Sequence, residues 1–274
     1  MKRLTLLAAV FAIFALVGCE KGVEGEGDTI YYTTTDGAKV EINDAHFDAE
    51  VSSNTYSNGV GTIVFNGPVF YVGEAAFAGC KTLSSVTLPS NVQIIGKDAF
   101  TGCTALSGIS LSNSLVTIEG YAFYGCTALT EVVLPSRVSI IDDHAFAHCS
   151  SLARFEASES LISIGPSAFF HCDNLAEFDM TRNDSLTEIR YAAFDECNAL
   201  ESFEVPASFL QIHEKAFFHA ASLKSFKIHA PKRATSGLDM FANVHEDFAI
   251  YVPMALVADY EAVNYWKLYQ IIGF

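Results

Sequence analysis

Apolar residues recur along this chain of 274 residues at a spacing of 23 to 25. The dipeptide Ala-Phe occurs seven times, cysteine follows three residues later in six copies, and leucine follows six residues later in all seven. A fixed period in this range predicts a solenoid in which each copy forms one coil. The phenylalanines that define the coils, including a last copy without the alanine, are Phe77, Phe100, Phe123, Phe146, Phe169, Phe194, Phe217 and Phe241.

Each coil also contains a short apolar alternation, nine and eleven residues after its phenylalanine. In the third coil Val132 and Leu134 take these positions, and Pro135 follows them. Such alternation is typical of a strand, which proline ends because it has no amide hydrogen. We expect the strands to pair in parallel over residues 63–253, in about nine coils including a first strand at 63–65. The A-F-x-x-C segment is expected to form a helical turn on the opposite wall.

Both ends of such a solenoid require caps, because an open end would expose apolar core and unpaired backbone. Residues 29–62 predict a β cap with hairpins around Asp36-Gly37 and Asn58-Gly59, since Asx-Gly steps supply the positive φ angles of tight turns. The apolar spacing of residues 254–274 predicts a helical cap at the other end.

The repeated pattern of residues 60–253 resembles the BspA-type leucine-rich repeats of host-associated bacterial surface proteins. It comprises A-F-x-x-C-x-x-L, the alternating strand, and an isoleucine or valine five residues before the next phenylalanine. The resemblance implies an α/β solenoid with right-handed coils of 23 residues. It also implies a binding or adhesion role toward a host protein, the extracellular matrix or another surface component.

The N-terminus carries the features of an export signal. Two basic residues precede an apolar stretch at 4–17, which is shorter than the roughly 20 residues that a membrane-spanning helix needs. The sequence Leu16-Val17-Gly18-Cys19 resembles a bacterial lipobox, which implies cleavage before Cys19 and acylation of that residue. An ordinary secretory signal that happens to end near a cysteine is the alternative.

This interpretation divides the N-terminal region into a lipoprotein signal peptide at residues 1–18 and a flexible, acidic and glycine-rich tether at 19–28. The lipid on Cys19 would be the only contact with the membrane. We therefore expect an outer-membrane lipoprotein that is exposed on the cell surface.

Six further cysteines in an exported chain would ordinarily indicate disulfides. All six occupy one column of the repeat, so their side chains point the same way, and parallel Cβ vectors disfavour the disulfide dihedral. We interpret them as small buried apolar residues. No C-x-x-C pair indicates a zinc site, and no cofactor is expected.

The formal net charge is −16, which argues against nucleic acid as a partner. Outward positions on the predicted strands change from small polar residues through an acidic middle to a basic end. Strand walls of horseshoe solenoids commonly bind ligands, so this face is a candidate binding surface; the alternative is a solvated face that keeps the protein soluble. Its residues are Glu131, Arg154, Glu156, Glu177, Asp179, Glu204 and Lys227.

A second outward column lies two residues after each phenylalanine. Glycine occupies it in the first three coils and is interpreted as a left-handed residue. His148, His171, Glu196 and His219 follow, and because coils stack about 5 Å apart they form a candidate metal site or pH-sensitive patch. The alternative is that these residues are only tolerated there, since histidine accepts positive φ more often than most side chains.

Residues 181–185 contain two more residues than the corresponding segment of other coils. Loops inserted into a regular scaffold are common recognition sites. The triplet Asp184-Ser185-Leu186, and Asp28-Thr29-Ile30 near the N-terminus, resemble an Asp-Ser/Thr-aliphatic sequon for protein O-glycosylation in anaerobic relatives. Ser185 and Thr29 are therefore candidate glycosylation sites.

The sequence contains no recognised catalytic motif, such as G-x-S-x-G, G-x-x-x-x-G-K or H-E-x-x-H. A stacked solenoid also offers a shallow surface where most enzymes need a closed pocket. We expect a non-enzymatic binding or adhesion module. A structural or accessory subunit of a bacterial surface assembly is the alternative.

Overall fold

The computed structural model describes residues 28–274, so the predicted signal peptide, Cys19 and most of the tether lie outside the described residues. Strands are numbered in chain order. The N-terminal region contains β1 (Thr29–Thr34), β2 (Val51–Ser57) and β3 (Val60–Phe65), with a 3-10 segment at Asp44–His46. Strand β3 pairs antiparallel with both β1 and β2, whereas the coils that follow pair in parallel.

One face of the solenoid, the strand wall, contains one strand per coil. Its strands are β5 (Leu83–Thr87), β7 (Gly108–Ser110), β9 (Glu131–Val133), β11 (Arg154–Glu156), β13 (Glu177–Asp179), β15 (Ser202–Val205), β17 (Ser225–Ile228), β19 (Ala249–Val252) and β20 (Gln270–Gly273). Paired strands are parallel, as predicted, and Phe155 pairs with both Val132 and Phe178. The wall is divided into three hydrogen-bonded groups, which end at β7, β13 and β20.

A second face is a continuous parallel sheet of very short strands. They are β4 (Tyr71–Val72), β6 (Ile94–Ile95), β8 (Thr117–Ile118), β10 (Ile140–Ile141), β12 (Ser163–Ile164), β14 (Glu188–Ile189), β16 (Gln211–Ile212) and β18 (Thr235–Ser236). The inward residue from β4 to β16 is the isoleucine or valine that precedes each phenylalanine by five, and it is fully buried. Sequence analysis did not predict this sheet, because a two-residue strand shows no alternation.

The third face consists of tight turns, and the predicted helical turn is wrong. Each A-F segment lies between two residues with positive φ, as Ser167 (50°) and His171 (56°) show. Left-handed residues interrupt an α-helix. The backbone instead bonds to the next coil, where Phe169 N donates to Ala193 O at 2.8 Å and His171 N to Asp195 O at 3.0 Å.

The core is a column of stacked phenylalanine rings. Phe169 is fully buried, and its ring lies parallel to those of Phe146 and Phe194 at centroid distances of 5.4 and 5.2 Å. In the middle coils a second column packs edge-on against the first, as Phe155 and Phe178 do against Phe169. A coil therefore buries its aromatic side chains only against its neighbours.

The six cysteines in the described region are free thiols aligned along the core. Cys172 Sγ donates a hydrogen bond to Phe146 O in the preceding coil at 3.1 Å, and the same bond recurs from Cys103, Cys126, Cys149 and Cys197. Besides filling space in the core, each thiol thus donates a hydrogen bond to a backbone carbonyl. Burial raises the pKa of these five thiols well above the usual value.

The N-terminal cap differs in part from the prediction. The hairpin around Asn58-Gly59 is formed by β2 and β3, but residues 38–43 form no strand, so the hairpin around Asp36-Gly37 is wrong. Strand β1 instead pairs antiparallel with both β3 and β5 and covers the open edge of the first coil. The expected first parallel strand at 63–65 belongs to antiparallel β3. The ninth parallel strand is β20.

The C-terminal cap has less helix than predicted. Its only α-helix in the described region, α1, spans Val257–Glu261, between 3-10 segments at Met254–Leu256 and Trp266–Leu268. The buried side chains of Tyr260 and Trp266 close the last coil, where the Tyr260 hydroxyl accepts a hydrogen bond from Ala234 N and Trp266 Nε1 donates one to Ala234 O. The last strand, β20, pairs in parallel with β19 and gives the backbone groups on that edge hydrogen-bond partners.

The buried thiols should resist alkylation. At pH 8, we expect iodoacetamide to modify half-buried Cys80 slowly and the five fully buried cysteines not at all within the same time, because burial disfavours the reactive thiolate. Peptide mass spectrometry after labelling of native and urea-unfolded protein measures this. Equal labelling of Cys80 and Cys149 in the native protein would contradict the buried column.

Candidate binding surface on the strand wall

The register of β9, β11 and β13 places the predicted surface residues in two outward rows. The middle residue of each strand points into the core, so the residues on either side face solvent. Pairing aligns Glu131 with Arg154 and Arg154 with Glu177 in one row, and Glu156 with Asp179 in the other. Residues 23 apart in sequence thereby become neighbours.

Arg154 lies at the centre of these rows and contacts four carboxylates. Its guanidinium is 2.7 Å from Glu131 Oε1, 3.0 Å from Glu156 Oε2, 3.4 Å from Glu177 Oε2 and 3.7 Å from Asp179 Oδ2. Hydrogen bonds to Glu131 and Glu156 raise the pKa of the guanidinium. Arg154 therefore reduces the electrostatic repulsion among the four carboxylates on this surface.

The acids in the middle of the wall are paired with arginine side chains. Arg182, from the inserted segment, forms an ion pair with Glu156 and lies 4.0 Å from Glu159. The four carboxylates of the two rows and Glu159, set against two guanidinium groups, leave a formal charge of −3. The predicted acidic strip is thus a mixed network, because residues distant in sequence supply the compensating cations.

The predicted basic end is mixed as well. Lys227 lies 3.3 Å from Glu204, and His229 forms a hydrogen bond with the same carboxylate. Partial burial alone would raise the pKa of Glu204, but hydrogen bonds from His229 and Lys227 hold it below its usual value. Sequence analysis missed His229, which lies twelve residues after its phenylalanine, one beyond the last apolar strand position.

A groove opens where the strand wall is interrupted between β13 and β15. These strands belong to different hydrogen-bonded groups, and equivalent residues are 25 apart instead of 23. The groove has a volume of about 550 Å³. It is lined by Glu177, Phe178, Asp179, Met180, Thr181, Asn183, Ser202, Glu204, Val205, Pro206 and His229.

The inserted segment beside the groove is anchored by Asn183. This buried side chain donates hydrogen bonds to Ser158 O at 2.7 Å and Leu161 O at 3.0 Å, and it accepts one from Leu186 N at 2.9 Å. The Thr181 backbone amide and hydroxyl bond to Asp179 and lower the pKa of that carboxyl. The inserted segment is therefore held in place by these hydrogen bonds and forms one wall of the groove.

The structure brings the side chains of the predicted histidine column together at the turns. These turns lie on a different face of the solenoid from the strand wall. The rings of His148 and His171 stack at 5.0 Å, and His171 Nδ1 lies 3.0 Å from Glu196 Oε2. His219 lies 3.8 Å from Asp195, a residue that the sequence analysis did not include. All four predicted residues have positive φ, as their glycine equivalents do.

The remaining predicted sites lie elsewhere. Ser185, half-buried, donates a hydrogen bond to Asp184 on the inserted segment, and Thr29 begins β1. Cys19 lies outside the described residues. Across residues 28–274, every helix is too short or too polar to cross a membrane.

Comparison with protein families identifies the repeat. A model of the BspA-type leucine-rich repeat region matches residues 50–176 and 140–250 in six copies, which together cover well over half of the chain. The chain belongs to this family. The BspA-type resemblance inferred from the phenylalanine, cysteine and leucine columns is therefore confirmed, whereas a search of curated proteins finds no significant match.

A solved structure agrees with this assignment at the level of the fold. A leucine-rich repeat protein from Bacteroides ovatus is 21% identical with a TM-score of 0.53, and the match covers 73% of this BspA-type chain and 61% of that one. The chain thus spans less than two thirds of that relative. A leucine rich cell surface protein from Faecalibacterium prausnitzii is 22% identical, with a TM-score of 0.37 and coverage of 58% and 60%.

The central role of Arg154 can be tested by replacing it. Arg154→Ala should lower the free energy of unfolding by about 1 kcal/mol at pH 7 and low salt, since four carboxylates would then repel one another with only Arg182 nearby. The difference from wild type should shrink in high salt and at pH 3, because carboxyl groups are in general largely protonated below about pH 4. Asp179, whose pKa is lowered, retains part of its charge there. Urea unfolding measures both effects.

The matched control for this experiment is Arg137→Ala, because Arg137 is exposed and lies on a turn of the same solenoid. It should stay within about 0.5 kcal/mol of wild type at both pH values. Equal losses for the two variants, or a loss at Arg154 that does not depend on pH, would show that the carboxylate network is not what Arg154 stabilises.

Proposed function

We propose that this protein is a surface-anchored, non-catalytic binding or adhesion module that recognises a host protein, the extracellular matrix or another surface component. The observation that carries the proposal is the groove between β13 and β15. It combines apolar residues such as Phe178 and Pro206 with a polar rim formed by the side chains of Glu177, Asp179, Glu204 and His229.

The groove suits a protein ligand because its walls are already held in place. Arg154 and Asn183 fix the side nearest β13, and Lys227 and His229 fix Glu204 on the other side. A preorganised surface loses little conformational entropy on binding. The carboxylates retain lone pairs for donors on a ligand, so we expect a segment with lysine, arginine or backbone amide donors.

Replacing the acidic rim should weaken binding without changing the fold. The variant Glu177→Gln, Asp179→Asn, Glu204→Gln is expected to reduce capture of partner proteins at least about tenfold while its melting temperature stays within a few degrees of wild type. Surface-immobilised protein is exposed to purified collagen, fibronectin and laminin, and to solubilised host-cell surface proteins. Binding is quantified by surface plasmon resonance and mass spectrometry.

The control replaces the same residue types on exposed positions outside the groove, as Asp44→Asn, Glu246→Gln, Glu261→Gln. It removes equal charge, so any effect of net charge alone appears in both variants. Equal binding by the two variants would exclude the groove as the recognition site.

The second candidate function is a structural or accessory subunit of a bacterial surface assembly. The same mixed charge network favours a dedicated protein partner as readily as a host ligand. Pull-down from the bacterial envelope distinguishes the two. One bacterial protein retained by wild type and lost from the groove variant would support a subunit, and several host proteins would support an adhesin.

Surface display through a lipid on Cys19 is part of the proposal and rests on the lipobox-like sequence. Protease treatment of intact native cells should remove the wild-type protein but leave a periplasmic marker intact, and Cys19→Ser should release the protein from the membrane fraction. Intact mass from the native host should include the acyl chains, plus any glycan on Ser185 or Thr29. Survival of the protein in shaved cells would contradict exposure on the outer face.

A further inference from the structure

Asp195 carries an unsatisfied buried atom. Within residues 28–274, its Oδ1 is the one buried side-chain nitrogen or oxygen without a hydrogen-bond partner. Asp195 directly follows Phe194, so its backbone is held in the stacked turns, where Asp195 O accepts a hydrogen bond from His171 N at 3.0 Å. A buried polar atom without a partner is unfavourable, which indicates that something else interacts with it.

Two potential metal ligands surround this oxygen. His219 Nδ1 lies 3.8 Å from Asp195 Oδ1, which is too far for a hydrogen bond. One ligand atom each from Asp195, Glu196 and His219 lie within 4.8 Å of one another. Ligands about 2.1 Å from a tetrahedral zinc ion are about 3.4 Å apart, so small side-chain rotations would bring these atoms to coordinating distance.

We propose that Asp195, Glu196 and His219 bind one zinc ion at the turns of two successive coils. One imidazole nitrogen and two carboxylate oxygens form a donor set that suits Zn²⁺ better than Ca²⁺ or Mg²⁺, which prefer oxygen ligands alone. The proposed site is separate from the strand wall and does not depend on the binding function proposed for it.

The surrounding backbone holds the ligands in register. Glu196 and His219 both have positive φ, and their amides bond to Phe218 O and Ala242 O of the next coil, each at 2.9 Å. These bonds set the separation of successive coils, so the ligands are positioned by the stacked core.

Neighbouring side chains leave room for an ion and orient one ligand. An open depression of about 360 Å³ is lined by two of the three ligands, Glu196 and His219, together with Asn198, Ala221 and Asn243. An ion held beside it would take water as its fourth ligand. His171, 3.0 Å from Glu196 Oε2, acts as a positioning residue for that carboxylate.

Electrostatics at the site are consistent with a bound cation. Burial and then the neighbouring charge of Glu196 raise the pKa of Asp195, although His219, His171 and Lys215 oppose the shift. A divalent cation would offset both the desolvation and the repulsion between the two carboxylates.

Zinc titration of the full, tag-free protein tests the proposal. After EDTA treatment and dialysis, isothermal calorimetry should show one Zn²⁺ per chain, and Asp195→Asn and His219→Ala should each weaken binding at least about tenfold. His171→Ala should weaken it less. The matched control, His213→Ala, removes a histidine that directly follows β16 and lies beside Glu188, and it should leave zinc affinity unchanged.

A second readout separates metal binding from folding. Zinc should raise the melting temperature of wild type and of His213→Ala, but not that of Asp195→Asn. Without metal, Asp195→Asn should melt at the same temperature as wild type or higher, because burying an amide costs less free energy than burying a carboxylate. No binding up to about 1 mM zinc would overturn the proposal. Loss of binding on replacing His171 and Asp173 but not Asp195 or His219 would also overturn it, since the ion would then occupy the neighbouring triad.

Discussion

The fold depends on the stacking of equivalent side chains in neighbouring coils. Phenylalanine rings of the main column are 4.9 to 5.4 Å apart, close to the spacing of paired strands. The thiol-to-carbonyl bonds and the backbone bonds of all three faces act across the same spacing. Because a single coil has no core of its own, each coil is stabilised by these contacts with its neighbours, and the two terminal caps supply the contacts that the outermost coils lack.

The same stacking creates the functional surfaces. Any column of outward residues becomes a row of close neighbours, so like charges in one column would repel unless cations lie between them. Arg154 and Arg182 supply those cations on the strand wall. In the turns, Asp195 and Glu196 face histidines of adjacent coils instead. The groove lies between two hydrogen-bonded groups of the wall, beside the two additional residues, so its lining combines strand residues with residues of the inserted segment.

Much of the architecture could be predicted from the pattern alone. The phenylalanine, cysteine and leucine columns identified the coils, and the apolar alternation identified the strand wall, because both report which residues are buried. The predicted helical turns were wrong, and the C-terminal cap contains less helix than predicted. Local apolar spacing cannot show that Ser167 adopts a left-handed conformation or that residues 270–273 pair with β19, since contacts between coils decide both.

By itself, the sequence determined the repeat, its inward columns and the family, because burial in a solenoid imposes the same residue types at the same positions in every coil. Only the tertiary structure decided which outward residues contact one another. Arg182, Asn183, Asp195 and His229 occupy positions with no repeated signal, and they acquire their contacts only when stacking brings them within 4 Å of residues 24 to 26 positions away.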